Sequence, residues 1–210
     1  MNVKLIHATE KGDELVAYMA RVSNPENQDN PNNARLIRYL IEHKHWSPFE
    51  MVGACVEINT TRDIARQILR HRAFHFQEFS QRYADASLLG DMVKRECRLQ
   101  DENNRQNSIA CDDVAFSSRW EDEQVHVWSR AVFAYKEALD KGIAKEQARA
   151  LLPEGLTPSR MYMHGTLRDW IHYIEVRTDP STQKEHRIIA DQCKQVLSEK
   201  FPAIFEAVAI

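Results

Sequence analysis

His45–Arg82 reads HWSPFEMVGACVEINTTRDIARQILRHRAFHFQEFSQR, and its hydrophobic period changes twice within those residues. Ser47 and Glu50 lie three apart with Pro48 between them, the pattern of a capping box with proline at the first helical position. The next residues alternate. Val52, Ala54, Val56 and Ile58 fall on one side, Gly53, Cys55, Glu57 and Asn59 on the other, which predicts one capped turn feeding a strand over Met51–Asn59. A helix then opens at Thr61 or Arg62, buries Ile64, Ala65, Ile68 and Leu69, and should end near Phe74. Phe76–Ala84 reads as extended, with Phe76, Glu78, Ser80 and Arg82 in one row. Turn, strand, helix and strand in quick succession set the class.

Outward from this stretch the chain is rich in helix. Lys4-Leu5-Ile6 suggests an opening strand, Asp13–Val22 a helix, Asn24–Asn33 a polar loop, and Ala34–His45 an amphipathic helix. Arg95–Ser118 is polar and reads as an excursion with little regular structure. Helices follow over Arg119–Leu139 and Lys145–Leu152, the latter stopped by Pro153. Ser159–Gly165 reads as a strand, Thr166–Arg177 and Thr182–Lys200 as helices, and Ile204–Val208 as a short tail. About four strands without regular βαβ alternation give an α+β fold, a mixed or antiparallel sheet flanked by helices. No repeat is visible, and 210 residues suit a single domain over 1–210 that buries roughly 70% of its unfolded surface.

Charge then singles out the same stretch. Between Arg62 and Arg82 there are five arginines and no lysine, in a chain of formal net charge −3. Arginine's planar fork fits carboxylate and phosphate in bidentate fashion, so the island reads as a site for a compact anion, whereas a solvated helix face would mix in lysine and glutamate. The six glycines lie at least ten residues apart, which excludes GxGxxG and the P-loop; any nucleotide is held by side chains and helix ends. His71 and His75 have helical ligand spacing, but Arg70 and Arg72 beside them disfavour a cation, so no metal is expected. The four cysteines form no CxxC pair and read as free thiols of a reducing cytoplasm. No apolar run approaches membrane length, and the start lacks a signal-peptide core. A pI near 6.3 argues against general nucleic-acid binding. One alternative remains, a non-catalytic nucleotide- or RNA-binding module in which Phe74, Phe76 and Phe79 stack on bases.

Arg70-His71-Arg72, a gap of seven residues and Ser80 resemble the RHR-x7-S signature of the flavin-dependent thymidylate synthases. His45-Trp46-Ser47-Pro48-Phe49-Glu50 is similar to that family's His-x-Thr/Ser-Pro-Phe-Glu segment. Glu78-Phe79-Ser80-Gln81-Arg82 matches its Glu-x-Ser-x-Arg, with Gln67 three before Arg70. Ala148–Pro153 resembles its Ala-Arg-x-x-Leu-Pro, and Arg168–Arg177 its Arg-x8-Arg helix. The likeness runs in order from residue 45 to 177. His75 and His172 depart from it, standing where many members carry a small polar residue and an asparagine.

The resemblance implies FAD-dependent reductive methylation of dUMP to dTMP, with 5,10-methylenetetrahydrofolate as carbon donor and NADPH as reductant, in a cytoplasmic homotetramer of bacterial or viral origin. It implies FAD contacts from Ser47, Arg70, His71, Arg72, Glu78, Thr166, Arg168 and His172. Gln67, Arg70, Glu78, Ser80, Arg82, Arg149 and Arg177 would hold dUMP, with Glu78–Arg82 donated by a neighbouring subunit and Arg177 as the catalytic residue. Neither nucleic acid nor membrane is an implied partner. The family uses no thiol nucleophile, so single Cys→Ala changes at Cys55, Cys97, Cys111 and Cys193 should each leave substantial dUMP-dependent turnover. Abolition by any one of them would point instead to a cysteine-dependent synthase.

Overall fold

A computed structural model describes residues 1–208. Its centre is a four-stranded sheet in the order β1 (Asn2–Ala8), β2 (Gly53–Thr61), β6 (Pro158–Thr166), β3 (His75–Glu78), and every neighbouring pair is antiparallel. β2 and β6 pair along their whole lengths, from Gly53 opposite Thr166 to Thr61 opposite Pro158. The helices are α1 (Gly12–Ala20), α2 (Asn33–Glu42), α3 (Arg62–Ile68), α4 (Val114–Asp140), α5 (Lys145–Ala148), α6 (Leu167–Arg177), α7 (Lys184–Lys200) and α8 (Pro202–Ala207). The α+β architecture matches the one expected from the alternation.

The alternation in β2 decides which face is covered. Ala54, Val56 and Ile58 are buried together with Met161 and Met163 of β6, and α6 and α7 close over them with Leu167, Trp170, Ile174, Ile189, Cys193 and Leu197. Each such aliphatic side chain contributes about 1.5–3 kcal/mol on leaving water. The Trp170 indole also donates to the Ala54 carbonyl at 3.1 Å, so its one polar atom is satisfied inside the core. The other face is polar. There Cys55 lies between His7 and His164, and His164 faces His75.

α6 starts on a complete capping box. Thr166 Oγ1 accepts from the Asp169 amide at 3.3 Å while Asp169 Oδ2 accepts from the Thr166 amide at 2.9 Å, satisfying two donors that the helix end would otherwise leave free.

Several elements differ from the sequence reading, among them the expected tail over Ile204–Val208, which belongs to helix α8 as far as Ala207, and the expected helix Lys145–Leu152, where α5 ends at Ala148 and a 3₁₀ turn follows. α3 stops at Ile68 rather than near Phe74, because the His71 and Phe74 amides bond three residues back, to Ile68 and His71. Those turns bring the Phe74 ring to 4.7 Å from Trp170, and burial of that ring outweighs another helical turn. β3 is four residues long rather than nine. Beyond it the Phe79 amide bonds to Arg160, and the Tyr83 and Ala84 amides turn back onto the Ser80 carbonyl, so Ser80 and Arg82 leave the row that holds Phe76 and Glu78. Ser47–Met51 is a 3₁₀ piece without a side-chain cap, and Glu50 pairs with Arg168 instead. The 95–118 excursion carries a hairpin, β4 (Arg98–Gln100) with β5 (Ser108–Ala110), and α4 begins early because Asp113 accepts from the Phe116 amide at 2.9 Å.

Gly165 allows β6 to pass close under this packing. A Cβ there would lie 2.6 Å from the Phe74 ring. Gly165→Ala should therefore cost about 1–3 kcal/mol by overpacking, seen as a lower urea midpoint at unchanged m-value. An unshifted midpoint would show that the ring is free to retreat.

Candidate active site

A cleft of about 1310 Å³ opens where the Arg70–Arg72 turn meets the start of α6. Its lining includes Arg70, His71, Arg72, Thr166, Arg168 and His172, six of the eight residues expected to meet FAD. Trp46, Phe74 and Ile171 supply apolar wall. The volume exceeds the 300–1,000 Å³ typical of small-ligand pockets. Among the described residues no carboxylate pairs with Arg70 or Arg72, so two guanidinium groups face the cleft uncommitted. Large volume, apolar wall and free cations together fit an aromatic cofactor that carries a diphosphate.

Ser47 and Glu78 lie elsewhere in the same chain. Ser47 borders a shallower depression of about 360 Å³ with Tyr18, Met19 and Pro48. Glu78 sits at the far end of β3, accepting from Ser159 Oγ at 2.7 Å and facing Arg62 at 3.7 Å.

The expected phosphate-binding groups gather near that far end. Arg82 Nε donates to Glu146 Oε2 and Arg149 Nε to the Glu146 carbonyl, both at 3.3 Å. One residue thus holds both guanidiniums, and its carboxylate marks a position that suits an anion. Ser80 Oγ accepts from the Arg82 amide at 3.4 Å.

Arg177, in the last turn of α6, reaches the cleft wall at His71. Its Nε donates to His71 Nε2 at 2.8 Å, so that nitrogen carries a lone pair and the imidazole is neutral. Burial, then the charges of Arg177, His172 and Arg70, hold the His71 pKa down at about 4. The ring stands edge-on to Tyr173 at 4.9 Å. His186 lies 6.4 Å from it, fully buried, with its pKa lowered to about 3 by burial and then by Arg177 and His71. Arg177 is therefore flanked by neutral rings, with its terminal nitrogens free for a ligand. Gln67 joins the same cluster through His186 at 3.2 Å.

The model of the family described as thymidylate synthase complementing protein matches residues 4–203. The chain belongs to this family. It is 48% identical over 215 residues to the "Probable flavin-dependent thymidylate synthase" of Paramecium bursaria Chlorella virus 1, covering 99% of this chain and 98% of that one. With the flavin-dependent thymidylate synthase of Synechocystis sp. it shares 49% identity over 193 residues, 92% of this chain and 87% of its relative. Among solved structures, the UMP/dUMP methylase PolB from Streptomyces cacaoi bound with 5-Br UMP superposes with a TM-score of 0.83 at 26% identity, covering 98% of this chain and 92% of that one.

For a thymidylate synthase of this family a thiol nucleophile is unnecessary, and the cysteines agree. Burial pushes the Cys55 and Cys193 thiols up. Cys97 is also raised, by desolvation and by Cys111 across the hairpin, despite Arg95 and Arg98 beside it in sequence. Among the described residues no group of three or more ligating side chains could hold a metal ion.

Sequence reasoning missed His186, Glu185, Gln183 and Tyr173, which stand behind Gln67 and Arg177. The available signal was His186 itself, one turn before Ile189 and Ala190 in the buried stripe of α7. A histidine placed there needs a polar partner inside the protein.

The neutral histidines predict a pH dependence. A folded-state pKa below the ordinary 6.5 means that the unfolded chain takes up the proton first. Stability should be level above about pH 6.5 and fall as pH drops toward the folded values, by at most about 1.4 kcal/mol per pH unit for each such histidine. Urea titrations between about pH 7.5 and 5 should show this fall, shallower in His186→Asn. Equal slopes in the two proteins would mean that His186 is not held neutral.

Proposed function

We propose that the cleft and the arginine cluster beyond it are the two halves of a dUMP-methylating site. FAD would lie in the cleft, and dUMP would run from Arg177 to Arg82 and Arg149. The chain methylates dUMP to dTMP reductively, with 5,10-methylenetetrahydrofolate as carbon donor and NADPH as reductant. The observation that carries the reading is the placement of the Arg70-His71-Arg72 signature on the wall of a cleft large enough for a dinucleotide, in a chain of this family.

Arg70, Arg72 and Arg168 hold the anionic part of FAD, while His71, Thr166 and His172 line its other contacts, with Ser47 and Glu78 reaching it across a subunit boundary. Bound there, FAD supplies hydride transfer between NADPH and the folate-borne carbon. The protein's own work is placement and electrostatics. Arg82, Arg149 and the Ser80 hydroxyl take the phosphate, each charge-assisted hydrogen bond being worth about 1.5–3 kcal/mol, and the phosphate displaces the Glu146 carboxylate from Arg82. Gln67, Glu78 and Arg70 hold the nucleoside. Arg177 faces the pyrimidine, where its charge stabilises the negative ring that develops as C5 attacks the one-carbon unit. His71, kept neutral, fixes the Arg177 side chain without cancelling its charge.

Assembly completes the site. α4 leaves Phe116, Val127 and Phe133 between 44% and 58% exposed, apolar area along the helix that packing against another chain would cover. It suits packing of chains into a homotetramer, which would bring the Glu78–Arg82 segment of one chain to the site of another. A single domain over 1–210 carries all of these groups. Among the described residues no helix is long and apolar enough to cross a membrane; the reading assigns a cytoplasmic location.

Purified protein should bind FAD, show a flavin absorbance spectrum, and oxidise NADPH in a dUMP-dependent, folate-dependent reaction. Colourless protein that stays inactive after FAD is added overturns the reading. Arg177→Ala should depress methyl transfer to dUMP by about a hundredfold or more, the range for one preorganised electrostatic donor, while sparing NADPH oxidation that needs only flavin. Undiminished dUMP turnover would remove the role given to Arg177. Phe133→Glu in α4 should lower the solution mass from that of four 24.5 kDa chains and reduce activity with it; an unchanged mass would place the interface elsewhere.

A further inference from the structure

A chain of hydrogen bonds runs behind Gln67, and its charged end fixes the direction of every link. Glu185 faces Arg95 Nη1 at 3.3 Å. Burial pushes its carboxyl up, but the bond from Gln183 and the Arg95 charge help to hold it below its ordinary value, so it is ionised and can only accept. It accepts from Gln183 Nε2 at 2.9 Å. That turns the Gln183 oxygen toward Gln67, whose Nε2 donates to it at 2.7 Å. The Gln67 oxygen must then accept from His186 Nδ1 at 3.2 Å, which makes His186 the Nδ1–H tautomer. Its Nε2 keeps the lone pair and accepts from the Tyr173 hydroxyl at 3.1 Å. His186 and Tyr173 are both fully buried, so bulk water does not compete for these bonds.

We propose that His186 is a positioning residue for nucleotide binding: its Nδ1–H holds the Gln67 carboxamide in the one orientation that leaves the second Gln67 N–H facing the ligand. This rests on the dUMP contact given to Gln67 above. A reversed amide would set donor against donor at His186 and acceptor against acceptor at Gln183. An aliphatic residue at 186 would serve the packing of α7 equally well, but it would leave the Gln67 oxygen and the Tyr173 hydroxyl without partners. The polar side chain is there for its two nitrogens.

Two near-isosteres separate positioning from packing. In His186→Asn the amide nitrogen falls near the Nδ1 position and still donates to Gln67. In His186→Gln the amide falls near Nε2, keeps Tyr173 and abandons Gln67. By calorimetry on FAD-loaded protein, dUMP should bind the Asn variant within about threefold of wild type and the Gln variant about tenfold or more weakly. Equal losses, or no loss in the Gln variant, overturn the proposal. If His186→Gln does not fold, Glu185→Gln removes the fixed end of the chain and should weaken dUMP in the same direction; unchanged affinity there overturns the proposal too. The nitrogen-15 shifts of His186 supply a readout that needs no nucleotide. They should show a protonated Nδ1 and a bare Nε2 from about pH 8 to 5, and an Nε2–H tautomer or a charged ring in that range also overturns it. Wild-type protein that binds no dUMP would remove the functional reading instead, and the ring-nitrogen measurement would then decide the relay by itself.

Discussion

The antiparallel pairing of β3 with β6 places everything else in the site. Because the two strands run in opposite directions, the beginning of β3 at His75 lies against the end of β6 at His164. The Arg70-His71-Arg72 turn just before β3 is therefore delivered to the start of α6 just after β6, and the cleft forms between them. The end of β3 goes the other way. Glu78 meets Met161, and the chain beyond it turns toward α5, where Arg82 and Arg149 share Glu146. Two groups of arginines thus sit beyond opposite ends of one short strand, which by itself spans only about 10 Å at the usual rise per residue.

Charge at the centre is arranged by exclusion. Arg177 is flanked by His71 and His186, both kept neutral by burial and by the cation itself. A carboxylate in either place would have paired with the guanidinium and reduced what it can offer a ligand. Neutral imidazoles give geometry without neutralisation, and the half-buried Glu185 spends its charge on Arg95 and on orienting Gln183. The acid sits far enough back to set directions without touching the reacting region.

Much of this was legible in the residues. Strict alternation from Val52 to Ile58 announced β2 and its buried face, and five arginines without a lysine announced an anion site. What failed to show were features decided by tertiary competition. α3 ends early because Phe74 gains more by packing on Trp170 than by continuing a helix. Ser47 and Glu50 have the spacing of a capping box, yet Glu50 is drawn to Arg168 across the cleft, a partner 118 positions away. The relay behind Gln67 was invisible for a related reason. Its members come from α3, α6, the turn before α7 and α7 itself, and only the folded chain brings them together. The expected cofactor and substrate contacts came from motif resemblance, since the residues alone reached no further than an enzyme or binder of a phosphorylated small molecule.

The four-residue length of β3 has a further meaning. Each residue from His75 to Glu78 is held opposite a named partner on β6, and the Phe79 amide continues the series onto Arg160. The interval between Arg72 and Ser80 is thus a ruler read off against a fixed scale. Adding or removing one residue would shift the far group by about 3.3 Å and turn its side chains to the opposite face. Substitutions within the interval are limited only by local packing, whereas its count fixes how far Ser80 stands from the Arg70–Arg72 turn. The length of this interval is set by hydrogen bonds to a neighbouring strand, whatever side chains fill it.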